Sequence, residues 1–114
     1  MYNYKRLDPE QCEFVAIGPE SELPPGERLF VEIDEHSIVI FNIAGNMYAI
    51  ADLCSHDNGP LGDGELEGHD IHCPRHGAAF DVRSGKALSL PAIEDIPAYP
   101  VRVEQGEILI GLPA

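Results

Sequence analysis

Cys54 and His56 form one close pair in the chain, Cys73 and His76 form another, and sixteen residues separate His56 from Cys73. Each pair joins a thiol, which as thiolate is a soft metal ligand, to an imidazole, the commonest nitrogen ligand. Two cysteines and two histidines make an ordinary tetrahedral zinc set. Zinc knuckles, however, usually place roughly two to four residues between paired ligands, and the first pair here, C-x-H, is tighter. A binuclear iron site gives the spacing a geometric reason. If each loop sends its cysteine to one iron and its histidine to the other, two short loops can clamp a [2Fe-2S] cluster with two thiolates on one metal and two imidazoles on its partner. On the donor set alone both readings stand.

The other candidate ligands are less persuasive. His69 and His72, with Asp70 between them, supply the residue types of a mononuclear iron site with two histidines and one carboxylate. The stretch Glu67 to His72 reads as a strand entering the second pair, though, and residues three apart on a strand face opposite ways. These two imidazoles are therefore not expected to share a metal. His36, between Glu35 and Ser37, reads as a turn histidine, and Cys12, far from both pairs, as a buried or half-buried thiol.

The elements that must position the two pairs are strands. Leu29, Val31 and Ile33 alternate with Glu32 and Asp34, the pattern of a half-buried strand. Ile38-Val39-Ile40-Phe41 is apolar on both faces and predicts a central strand, which turns at Ala44-Gly45-Asn46 into a strand from Met47 to Ala51. Near the C-terminus Tyr99, Val101 and Val103 alternate with Arg102 and Glu104, and Gln105-Gly106 turns the chain into Glu107 to Leu112. Helical signals are confined to brief stretches near Asp8 to Cys12 and Ser21 to Leu23, cut short by Pro19, Pro24 and Pro25. From Asp52 to Asp70 there are six acids, no bases, and Gly59, Gly62, Gly64 and Gly68. A loop of that length inside a compact domain is usually functional or disordered, and this one carries metal-ligating residue types near both ends.

Size and charge narrow the function. A chain of 114 residues is expected to be a single domain, short enough that a metal site would supply part of its stability. Its formal charge of -13 disfavours nucleic acid and anionic membrane, and points to basic protein as the partner surface. No apolar run approaches the roughly 18 residues of a membrane span, and the first ten residues lack the apolar stretch of a secretory signal, so a cytoplasmic protein is expected. Three cysteines cannot build a disulfide framework and suit a reducing compartment.

The run C-x-H, sixteen residues, then Cys73-Pro74-Arg75-His76-Gly77 resembles the Rieske iron-sulfur signature, and the likeness extends through Phe80-Asp81 and Ser84-Gly85-Lys86, covering most of the chain from about Phe30 onward. The resemblance implies an all-β Rieske fold, an antiparallel β sandwich with a two-loop cluster-binding subdomain over about residues 52–92. It implies one [2Fe-2S] cluster per chain, with Cys54 and Cys73 on the buried iron and His56 and His76 on the outer one. Leu90-Pro91-Ala92 is similar to the proline-containing third loop that covers the cluster in that family, and Gly77 would allow close backbone approach.

Departures from the family pattern are equally informative. Members in respiratory and photosynthetic membrane complexes carry an extra cysteine in each loop, where this chain has Gly59 and Arg75. They also place serine and tyrosine hydroxyls, which donate to the cluster sulfurs, where this chain has Ala78 and Phe80. Two ferric ions, two sulfides and two thiolates sum to zero charge, and donors to sulfur favour the reduced, more negative state. Without those donors a potential near the low end of the Rieske range, about -150 mV, is expected. The likeness narrows to soluble Rieske ferredoxins of aromatic-ring-hydroxylating dioxygenases, one-electron carriers between a flavoprotein reductase and a terminal oxygenase that do no substrate chemistry themselves. The rival readings are a Rieske-like small subunit of a nitrite reductase, against which all four ligand positions count, and a zinc-stapled binding domain.

Overall fold

The run of four apolar residues from Ile38 to Phe41 lies on β3 (His36–Ile43), and it is buried on both sides. Ile38 and Ile40 enter one apolar cluster while Val39 and Phe41 enter a second, as the two-residue period of a strand requires. The protein is described here from a computed structural model covering residues 8–54, 59–74, 77–90 and 94–113. The remaining strands are β1 (Cys12–Pro19), β2 (Arg28–Ile33), β4 (Asn46–Ala51), β5 (Leu66–Glu67), β6 (Asp70–His72), β7 (Ala79–Asp81), β8 (Ala98–Tyr99), β9 (Val101–Glu104) and β10 (Glu107–Pro113). They form three antiparallel sheets, in the orders β2-β3-β4-β8, β1-β10-β9 and β5-β6-β7. Among the described residues no helix is long and apolar enough to cross a membrane.

One cluster gathers Ile38, Ile40 and Ala49 from the four-stranded sheet with Ile108, Ile110 and Leu112 from β10, and this is the sandwich core. Each fully buried Ile or Leu contributes about 1.5–3 kcal/mol relative to exposure. The second cluster joins Val39, Phe41 and Ile50 to Ile71, Phe80 and Val82, so it fills the space between the other face of the same sheet and β5-β6-β7. Both cysteines of the two candidate pairs belong to it.

The turns follow from local chemistry. Ala44 and Gly45 both have positive φ, 55° and 92°, the signature of the tight hairpin turn that matches strand twist. Asn46 already pairs with Ile43, so β4 begins one residue before the expected Met47. The buried Asn42 locks this corner, its Nδ2 donating to the Leu23 carbonyl (2.8 Å) and its Oδ1 accepting from the Gly45 N–H (2.9 Å). Gln105 and Gly106 repeat the positive-φ pattern between β9 and β10. The brief helical signals are single 3-10 turns, Pro9–Gln11 and Glu20–Glu22.

Four expectations need correction. β1 is absent from the sequence reading because its apolar residues do not alternate. The register shifts between Ala16 and Gly18, which leaves Ile17 unopposed and breaks the period. Tyr99, Val101 and Val103 do not lie on one strand: β8 pairs with β4 and β9 with β10, the chain changing sheets at Pro100, and Val103 is exposed. Glu67 to His72 is a hairpin rather than one strand, with Gly68 at φ 61° in its turn. His36 begins β3 rather than sitting in the turn, which Asp34 and Glu35 make with positive φ.

Gly85 illustrates how tightly the second cluster's connections are built. Its φ is 78°, its carbonyl accepts from the Ile96 N–H (2.8 Å), and a Cβ there would collide with the Ile96 carbonyl oxygen. Gly45 shares the positive φ but faces open space. Gly45→Ala should therefore cost about 1 kcal/mol, and Gly85→Ala about 3 kcal/mol or more, because backbone must move as well. Urea unfolding of the two variants measures the difference; equal costs would show that φ alone matters at both sites.

Candidate metal centre

Each candidate cysteine sits at the root of a loop that closes at once on itself. The Cys54 N–H donates to the Gly59 carbonyl (2.8 Å). The Cys73 N–H donates to the Ala78 carbonyl (2.7 Å), and the Gly77 N–H returns a bond to the Cys73 carbonyl (3.0 Å). The thiols are 0% and 3% exposed, and Cys12, Cys54 and Cys73 are all thiols rather than disulfides. In sequence the first closure brackets His56 and the second brackets His76. Both histidines, with Asp57, Arg75, Pro91 and Ala92, lie outside the described residues. Among the described residues no three His, Cys, Asp or Glu side chains converge as a metal site.

What is described fits a metal cluster in one respect that can be checked from the donors themselves. Two soft donors are brought into one apolar cluster by two separate loops, and each loop has a ligand-type imidazole in its sequence two or three residues beyond the cysteine. A buried thiol in apolar surroundings is otherwise inert. Gly77 has φ 74°, a backbone conformation that favours glycine. Ala78 and Phe80, each 0% exposed, lie in the same cluster as the two cysteines and bring no hydroxyl to it.

The third loop is anchored on both sides. Leu88 donates its N–H to the Ala79 carbonyl (2.8 Å), Ser89 Oγ accepts from the Ala79 N–H (3.0 Å), and Phe80 bridges to Ala87. Asp95 Oδ1 accepts the Ala87 N–H at 2.9 Å, tying the outgoing segment to the incoming one. Leu88 and Leu90 remain exposed, Leu90 at 77%.

The discounted histidines do go separate ways, for a reason different from the one expected. His69 lies in the hairpin turn and packs edge-on against Tyr48, with ring centroids 5.6 Å apart, while His72 on β6 has its Nε2 3.1 Å from Glu67 Oε1. His36 packs edge-on against Tyr99 instead. Cys12 is half-buried at the start of β1, and burial together with the nearby Asp8 pushes its thiol pKa up. Sequence reasoning missed Ser89 and Asp95, whose acceptors hold the Ala79 and Ala87 N–H groups on the described flanks of the third loop, and Arg28, which reaches the Gly62 and Gly64 carbonyls from β2.

Residues 13–100 match the Rieske [2Fe-2S] domain. The chain belongs to that family. It is 44% identical over 96 residues to the 3-phenylpropionate/cinnamic acid dioxygenase ferredoxin subunit of Escherichia coli K12, covering 83% of this chain and 90% of that one. Among solved structures, the ferredoxin of carbazole 1,9a-dioxygenase from Nocardioides aromaticivorans IC177 superposes with a TM-score of 0.80 at 32% identity, over 85% of this chain and 95% of that one. A chain of the complex of reduced oxygenase and oxidized ferredoxin in carbazole 1,9a-dioxygenase gives 0.79 at 28% identity, over 86% and 92%. The Rieske domain is therefore all-β here as in its relatives, and its characteristic cofactor is a [2Fe-2S] cluster.

Beside the second loop, Asp81 and Arg83 form a two-point pair. Asp81 Oδ1 accepts from Arg83 N–H (2.8 Å) and Nε (3.0 Å), and Oδ2 accepts from Nη2 (2.9 Å). Hydrogen bonding from the Arg83 side chain holds the Asp81 carboxyl below its ordinary pKa against the opposing effect of burial. A carboxyl lowered in the folded chain adds stability at neutral pH that is lost as pH falls through the folded-state pKa. Arg83 is half exposed, so solvent screening keeps the effect small: Arg83→Ala should lower stability slightly at neutral pH, and the difference from wild type should vanish as acid protonates Asp81, below the ordinary carboxylate range. Unfolding free energies across that range test this, and a pH-independent difference would assign the pair no electrostatic role.

Proposed function

We propose that this Rieske protein is a one-electron carrier that takes electrons from a flavoprotein reductase and hands them to a terminal oxygenase of an aromatic-ring-hydroxylating dioxygenase system. The observation that carries the reading is the burial of Cys54 and Cys73 in one apolar cluster, each at the root of a self-closed loop. In this reading residues 1–114 form one Rieske domain with its cluster subdomain over about 52–92, working in the cytoplasm. Cys54, His56, Cys73 and His76 would hold one [2Fe-2S] cluster, which when bound supplies a one-electron couple. The chain's own part is to shield that couple from water at the thiol end, where the described surroundings are apolar. The name of the Escherichia coli relative, a dioxygenase ferredoxin subunit, and the oxygenase–ferredoxin complex among the similar structures support an electron-transfer role rather than catalysis. The formal charge of -13, with Asp63, Glu65 and Glu67 exposed between the two pairs, supports a basic docking partner.

The isolated protein should be red-brown and hold two iron and two acid-labile sulfide per chain, about the stoichiometry of one cluster. Cys54→Ala or His76→Ala should each abolish the colour and lower the thermal midpoint, since metal binding contributes to folding. A colourless protein containing zinc, or full colour in both variants, would overturn the assignment.

The missing hydroxyls give a second test. Ala78→Ser and Phe80→Tyr should each raise the reduction potential by roughly 40 mV, taking about 1 kcal/mol as the difference in hydrogen-bond strength between redox states. Both positions are fully buried, so a hydroxyl that found no acceptor would destabilise the protein by about 1–3 kcal/mol. Redox titration together with unfolding separates the outcomes: an unchanged potential with lowered stability means that neither hydroxyl reaches a cluster sulfur.

A further inference from the structure

The segment from Gly59 to Gly64 connects the two cysteine loops, and little of its own composition holds it in place. It contains three glycines, which lose the most conformational entropy on ordering, and a single fully buried side chain, Leu61. One end is Gly59, whose carbonyl closes the Cys54 loop. Its other end, Gly64, packs so closely on the His72 carbonyl, one residue before Cys73, that a Cβ would collide with it. Gly62 is nearly as confined, since a Cβ there would come within 2.6 Å of the Phe30 ring and 3.1 Å of both Asp52 Oδ1 and Val39. The path of this segment therefore sets how the root of one cysteine loop lies relative to the other.

Two charged side chains fix that path from opposite ends of the peptide dipole. Asp52 Oδ1 accepts the N–H groups of Leu61 (2.8 Å) and Gly62 (2.6 Å). Arg28 Nη1 donates to the carbonyls of Gly62 (2.5 Å) and Gly64 (2.8 Å), with its guanidinium 5.1 Å from the centre of the Phe41 ring, itself part of the cluster that holds both thiols. All four bonds are charge-assisted and at least half-sheltered, the class that contributes most among hydrogen bonds. We propose that Arg28 and Asp52 are positioning residues for the cluster: together they clamp residues 61–64 and so preset the separation of Cys54 and Cys73. This rests on the reading that the two thiols hold a [2Fe-2S] cluster.

The test uses the cluster-loaded protein with Arg28→Met, Arg28→Lys and Asp52→Asn, beside Ile110→Val as a remote destabilising control in the sandwich core. Three quantities are followed: cluster loss to an iron chelator by visible absorbance, the electron paramagnetic resonance line shape of the reduced protein, and hydrogen exchange over residues 59–66. Arg28→Met should lose its cluster about tenfold faster, with faster exchange in that segment and a broadened signal. Arg28→Lys, which keeps a cationic donor, should recover part of each change, Asp52→Asn should fall between, and the control should leave all three at wild-type values. Wild-type behaviour of Arg28→Met, effects matched by the control, or no recovery in Arg28→Lys would each overturn the clamp. If Arg28→Met does not load, Arg28→Lys decides: loading with a loss rate at or approaching the wild-type value supports the clamp, since both bonds come from the single nitrogen Nη1, and failure to load there as well would overturn it. A wild-type protein without any [2Fe-2S] signal would instead count against the proposed function, and exchange at Leu61 and Gly62 in the variants would still decide the clamp.

Discussion

Everything near the two cysteines depends on β3 being buried on both faces. A strand that feeds two cores cannot shift register by one residue without exchanging Val39 and Phe41 for Ile38 and Ile40 across the sheet, which would misfit both clusters at once. That constraint ties the cysteine cluster to the sandwich core. β4 runs directly from β3 into Asp52 and Cys54, so the entry point of the first loop is set by a six-pair antiparallel ladder whose β3 partner is fixed in register by two cores. The second loop hangs from β6 and β7, whose Ile71 and Phe80 complete the other wall of the same cluster.

What the sequence made legible tracks how locally each feature is encoded. β3, the Ala44-Gly45 turn and the Gln105-Gly106 turn are written in neighbouring residues, by apolar runs and positive-φ positions, and they appear where expected. The cysteines were equally visible because a metal-binding pair is a short motif. β1 escaped notice because Ile17 bulges out of register, and the switch of sheets at Pro100 was hidden because alternation continues across it. Neither feature leaves a local trace: each is decided by which distant strand offers a hydrogen-bonding edge. Arg28 was likewise unreadable, since its acceptors lie 34 and 36 residues away and carbonyl groups carry no sequence identity. Asp52 drew attention only as one of six acids in its region, although its role in the structure is to gather two N–H groups rather than to add charge.

The charge distribution has a similar division between inward and outward use. Of the seven bases, Arg28 is committed to loop carbonyls, Arg83 to Asp81, and Arg102 to the face of Phe14 at 4.0 Å. These three positive charges are engaged in short-range contacts, those of Arg83 and Arg102 at the surface, whereas Asp63, Glu65 and Glu67 are exposed along the segment that joins the two cysteine loops. The net negative field that an approaching partner meets is screened over about 8 Å at physiological ionic strength, so the exposed acids act on it at short range and more strongly at low salt. Close contact would be of a different kind, because Leu88 and Leu90 expose apolar surface on the segment entering the third loop, which is tied to β7 through Ala79 and Phe80. For the proposed carrier this separates two requirements: the field governs how often a basic partner arrives, and the small apolar contact lets it leave quickly after one electron has passed. A large buried interface would hold the partner long after transfer, and a carrier serving two partners in turn depends on release as much as on encounter.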